Sequence, residues 1–133
     1  AAAVCLEASA VLEVTGHVGE EVSIPCFGSW TEKNSSEGHT RFFCKGVCTA
    51  KNIVVQSGKM RLTPTVRGRY SIDGAFSAAI RDVRRRDAGT YCCGMKEKLS
   101  VMQQEVHLQV LEGKFMVRCI KAHAGTLGSR FCV

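Results

Sequence analysis

The chain has 133 residues, a formal charge of +6 and eight cysteines. That is one domain's worth of chain, and it holds no apolar run near the roughly 20 residues of a membrane-spanning helix. The basic balance favours anionic partners such as phospholipid headgroups, acidic glycans and nucleic acid; with no long basic tract, basic helix or stacking motif, nucleic acid is set aside. Cysteines this dense, scattered rather than grouped in metal-like pairs, point to an oxidising compartment and hence a secreted or cell-surface protein.

In chain order, residues 1–10, "AAAVCLEASA", are small and apolar and end in Ala-Ser-Ala. They read either as the tail of a secretory signal or as a flexible N-terminus. Val22, Ile24 and Cys26 alternate with Glu21, Ser23 and Pro25, which predicts a strand. Pro25 brings no N–H to a strand expected to be central, so a local bulge is expected there. Residues 27–39, "FGSWTEKNSSEGH", read as a loop. It holds the only tryptophan, Trp30, expected to be half-buried or a ligand contact, and the acceptor triplet Asn34-Ser35-Ser36, expected to carry a glycan.

Beyond it, Tyr70 and Ile72 alternate with Arg69, Ser71 and Asp73. Phe76, Ala78 and Ile80 share one face of another run, as do Val106, Leu108 and Val110. Nowhere do apolar residues recur at helical spacing for long. The expectation is an all-β fold, a sandwich of two antiparallel sheets with Greek-key connections. It spans residues 11–112, followed by a tail or membrane-proximal segment over 113–133 that carries Cys119 and Cys132. These two bridge each other, or reach Cys5 or another chain.

The stretch "DAGTYCCG" at 87–94 poses the sharpest question, because adjacent cysteines on a strand face opposite ways. It resembles the corner of an immunoglobulin domain, where a tyrosine stands two residues before the second core cysteine. The resemblance makes Tyr91 the corner tyrosine, pairs Cys93 with Cys26 through the core, and turns Cys92 outward. It also implies a structural ion pair of Arg69 with Asp87, and places Phe43 where such domains usually carry a core tryptophan.

"GHVGEEVSIPC", "RFFCKGVC", "GRYSI" and "DAGTYCCG" together resemble the variable-type domains of the polymeric immunoglobulin receptor and its relatives. Those relatives are the leukocyte mono-immunoglobulin-like receptors, the myeloid triggering receptors and, closest in look, the novel immunoglobulin-like transcripts of bony fish. This branch implies a further bridge, Cys44–Cys48, clamping the hairpin after the third strand. Cys44–Cys92 competes with it, since both residues face outward on neighbouring strands. Zinc on Cys44, Cys48, Cys92 and His39 is disfavoured by the loose Cys-x3-Cys spacing and the oxidising context.

Function in such a sandwich sits on loops at one end or on the outer face of one sheet. The candidate loops are 27–39, 56–66 and 95–103. The last, "MKEKLSVMQ", sets Lys96 and Lys98 among Met95, Leu99 and Met102, a mixture suited to a lipid surface, with Trp30 as a further contact. Equally, Leu99 and Val101 pack the loop onto the core. The leading expectation is the ectodomain of an innate immune receptor binding an anionic phospholipid or microbial ligand, with signalling left to an adaptor. Alternatives are a domain that binds polymeric immunoglobulin for transport, and a soluble decoy or covalent homodimer joined through an unpaired cysteine. The histidines at 17, 39, 107 and 123 show no nucleophile at a recognisable spacing, and Cys92, the one candidate nucleophile, has no base; no enzyme, cofactor or metal is expected.

Overall fold

The computed structural model describes residue 5 and residues 10–26, 40–57, 65–73, 77–96 and 101–112, together with the backbone of 119–121 and 130–132. Among the described residues eleven strands follow in chain order: β1 (Val11–His17), β2 (Val22–Pro25), β3 (Thr40–Lys45), β4 (Ile53–Ser57), β5 (Thr65–Arg67), β6 (Tyr70–Ile72), β7 (Ser77–Ile80), β8 (Gly89–Lys96), β9 (Val101–Leu111), β10 (Cys119–Lys121) and β11 (Arg130–Cys132). Among the described residues the one helical element is a 3-10 turn at Arg85–Asp87. A five-stranded sheet, β1-β9-β8-β3-β4, faces a four-stranded one, β2-β7-β6-β5, and β10 and β11 form a separate hairpin. β1 runs parallel to β9; the other pairings are antiparallel.

The alternation seen in the sequence becomes burial. On β2, Val22 and Ile24 are buried while Ser23 and Pro25 are exposed; on β7, Ala78 and Ile80 are buried. Val106 and Leu108 of β9, Ile72 of β6 and Val55 of β4 complete a shared interior. Burying apolar side chains from both inner faces is the dominant stabilising contribution, about 25 cal/mol for each Å2 removed from water. Phe43, fully buried, stacks on Tyr91 with centroids 5.1 Å apart and planes 2° from parallel. Phe76 lies outside the described residues.

Pro25 corrects the expected bulge. It stays in unbroken register, opposite Ser77. β2 is terminal in its sheet among the described residues, so a missing N–H costs no ladder bond on the open side. Among the described residues a register shift lies instead between Phe43 and Cys44, where β3 meets β4.

At one end of the sandwich the chain turns through Arg84–Ala88. Asp87, 1% exposed, accepts two hydrogen bonds from Arg69, at 2.6 and 2.8 Å, and one from the Arg84 backbone N–H at 2.8 Å. The Tyr91 hydroxyl donates to the Asp87 carbonyl at 2.5 Å. Hydrogen bonding from Arg69 holds the Asp87 carboxyl below the usual carboxylate range, and burial pushes the Tyr91 phenol up. Arg85, on the same turn, pairs with Glu112.

Candidate functional site

Strand β8 separates the two cysteines of "YCCG" by its pleat. Tyr91, Cys93 and Met95 face the interior, and Cys93 is bonded to Cys26 with Cα atoms 5.9 Å apart. Cys92, Gly94 and Lys96 take the opposite face of the five-stranded sheet. Cys92 points away from the core as alternation requires, yet it has no exposed surface, because Cys5 lies over it. Cys5, from the stretch read above as leader or free terminus, is bonded to Cys92, with Cα atoms 5.8 Å apart. Its backbone N–H donates to the Glu105 carboxylate at 3.3 Å, and Glu105 also meets His107 Nε2 at 2.8 Å.

Beside this tie stands a second bridge, Cys44–Cys48, Cα atoms 5.2 Å apart. Cys44 lies directly opposite Cys92 in the β3–β8 ladder. Gly46, at φ +80°, supplies the left-handed residue that turns the chain back after β3. Cys5, Cys44 and Cys92 thus form a small cluster of their own, flanked by Phe42, Cys48 and Ile53 and separate from the main core. Among the described residues every cysteine side chain is in a disulfide, and no cluster of potential metal ligands occurs.

Adjoining this cluster on the outer face is a groove of about 300 Å3. Phe42, Ile53 and Cys48 line one side, and Val101 and Gln103 of β9 contribute from the other. Its floor is Gly94, where a side chain would not fit easily: a Cβ there would sit 3.3 Å from Phe42 Cδ2 and 3.6 Å from Cys48 Sγ. Among the described residues that line it, Lys96, which is exposed, is the one that carries a charge and none is acidic. Val101 and Met102, 49% and 41% exposed, stand at the same end of β8 and β9.

The predicted site residues therefore separate. Met95 is corrected: at 1% exposure it is core, because it shares the inner face of β8 with Tyr91 and Cys93, and it offers nothing to a ligand. Lys96 and Met102 are solvent-facing. Trp30, Asn34, Lys98, Leu99 and His39 lie outside the described residues. The loops predicted at 56–66 and 95–103 are partly strand, since β4 runs to Ser57, β5 starts at Thr65, β8 runs to Lys96 and β9 starts at Val101. Cys44 and Cys48 are bonded to each other, and Cys119 stands opposite Cys132 in the β10–β11 register. Sequence reasoning missed Phe42, Ile53, Gly94 and Gln103. The signal was available for two of them, since counting by twos from outward Cys92 and Cys44 reaches Gly94 and Phe42.

Near the same end, Arg41 is 4% exposed, facing inward on β3. It donates to the Asp73 carbonyl at 2.9 Å and to Ser57 Oγ at 3.2 Å, tying the two sheets together beneath the rim. Loss of hydration lowers its pKa, opposed by the charge of Asp73.

Comparison with known proteins bears on the whole sandwich. No curated protein sequence matches the chain. Solved structures do. Human T-cell immunoglobulin and mucin domain protein 1 is 22% identical with a TM-score of 0.59, covering 76% of this chain and 98% of its own. Tim-4 in complex with phosphatidylserine is 20% identical with a TM-score of 0.57, covering 76% and 99%. CD84 is 21% identical with a TM-score of 0.56, covering 77% and 99%. At these identities the likeness is one of fold. The immunoglobulin V-set domain profile matches residues 11–111. With two facing sheets, a bond between them and a buried tyrosine corner, the chain belongs to the immunoglobulin V-set domain family.

Proposed function

We propose that this chain is the extracellular ligand-binding domain of an innate immune receptor, and that it engages anionic lipid through the groove between β3–β4 and β8–β9. The observation that carries the reading is the groove itself: largely apolar walls, one lysine and no acidic residue among its described lining, and exposed Val101 and Met102 beside it. A phosphate or carboxylate headgroup pairs with Lys96, while Val101 and Met102 reach the acyl region. Lys98 and Leu99, which fall in sequence between the two strand ends, and Trp30 are proposed as further ligand contacts. Tim-4, whose fold this chain shares, is named as a complex with phosphatidylserine, which supports the same ligand class here.

The Cys44–Cys48 clamp and the sequence resemblance support a place in the polymeric immunoglobulin receptor and leukocyte mono-immunoglobulin-like branch, presented at a cell surface with an adaptor for signalling. Flotation with phosphatidylserine vesicles against phosphatidylcholine vesicles tests the proposal. Recovery with the anionic vesicles alone is expected; equal recovery with both, or with neither, contradicts it.

A further inference from the structure

Two disulfides on the outer face are arranged so that one can be exchanged for another, and we infer that Cys5, Cys44, Cys48 and Cys92 form a site of thiol–disulfide exchange whose partner is a dithiol. The inference does not depend on the ligand. Cys44 and Cys92, which belong to different bridges, are direct partners in the β3–β8 ladder. Residues directly opposite in an antiparallel pair have Cα atoms about 4.5 or 5.5 Å apart, both within the span of a disulfide. Cys48 Sγ lies 3.8 Å from the Cys92 carbonyl oxygen, which draws all four residues into one neighbourhood.

Access decides where the reaction starts. Cys44 and Cys92 have no exposed surface and Cys5 is 3% exposed, whereas Cys48 is half-buried and lines the open groove. A thiolate of the dithiol attacks Cys48 Sγ, forming a mixed disulfide and expelling Cys44 as thiolate. That thiolate is enclosed among apolar groups, which disfavours its charge, and Cys92 Sγ is across the ladder. Attack there forms Cys44–Cys92 and expels Cys5 as thiolate. The second thiol of the dithiol then resolves the mixed disulfide, leaving Cys48 reduced and the reagent oxidised. Two electrons and two protons enter the protein, and they reside on Cys5 and Cys48. The Cys26–Cys93 bond, in the main core, takes no part. The outcome is a domain whose N-terminal segment is no longer tied to β8 and whose turn after β3 is no longer clamped.

Disulfide mapping of the full chain tests this. Native protein is treated with a limiting dithiol, thiols are trapped by alkylation, and tryptic peptides are sequenced without reduction, with fragmentation between Cys92 and Cys93. The expected result is a new bridge joining "FFCK" to "DAGTYCCGMK" through Cys44 and Cys92, with alkylation of Cys5 and Cys48 in equal amounts. Alkylation of Cys44 with Cys48, alkylation of Cys5 with Cys92, or no label on these four overturns it. A variant removes the need for a reductant. Cys5→Ser leaves Cys92 beside the intact clamp, and the oxidised protein should contain Cys44–Cys92 with an alkylatable Cys48. Finding only Cys44–Cys48 with Cys92 alkylated also overturns the inference.

Discussion

At the scale of single residues, charge does two different jobs. Asp87 is structural: nearly inaccessible, it is held by Arg69 and by the Arg84 backbone while its own carbonyl holds Tyr91. Removing one partner of a buried pair strands the other, so Asp87→Asn should cost about 3 kcal/mol by denaturant unfolding. Its folded-state pKa is depressed, so its contribution is complete above the unfolded value of about 3.9 and is lost as pH falls through the lower folded value. Thermal melts across that acid window should therefore fall in the native chain and flatten in Asp87→Asn. Lys96 is the opposite case, exposed beside a groove whose described lining holds no acidic residue, and unnecessary to the core. A basic residue contributes about 1 kcal/mol at an anionic surface and reversing its charge costs about 2 kcal/mol, so Lys96→Glu should weaken binding to phosphatidylserine vesicles by roughly 30-fold. Its melting temperature should stay within a degree or two.

At the scale of elements, β8 is where most of the design was legible. Its period of two sets Tyr91 and Cys93 on one face, the resemblance to an immunoglobulin corner makes that face the inner one, and the same count puts Met95 inside and Lys96 outside. Treating 95–103 as a loop hid that distinction, because the boundary of a strand depends on its partner: β8 continues to Lys96 since Val101 of β9 is there to pair with it. The groove was less legible still. Phe42 and Ile53 come together only through the register shift after Phe43, which no local pattern announces. Pro25 shows the same limit, for whether a strand is terminal is decided by its neighbours. Gly94 makes the groove testable at this scale. An alanine at that position sets a methyl against Phe42 and Cys48 and narrows the groove, so Gly94→Ala should weaken vesicle binding while near-ultraviolet circular dichroism reports an intact Tyr91–Phe43 stack.

At the scale of the whole molecule, the fold followed from alternation and cysteine spacing, while the covalent pattern of the outer face did not. The bond between Cys26 and Cys93 closes a separation of 67 residues, and the chain-entropy relation assigns such a loop about 4 kcal/mol. Replacing both by alanine should lower stability by about that amount, as read from the urea midpoint, because the surrounding core remains. Cys5 joins β8 across a separation of 87 residues, and nothing in residues 1–10 alone signals it. A lone cysteine in a small-residue stretch acquires meaning only when Cys92 is found facing the same way. The result is a sandwich with one face devoted to cohesion and another carrying both disulfide chemistry and an open groove.

The central claim is that this outer face receives the ligand. The measurement that addresses it most directly is a nuclear magnetic resonance titration of the labelled domain with short-chain phosphatidylserine. Shifts concentrated at Phe42, Gly94, Lys96 and Val101 are predicted, with the arginine corner at 84–86 unmoved. Shifts confined to that corner, or spread evenly over the basic surface, would contradict it.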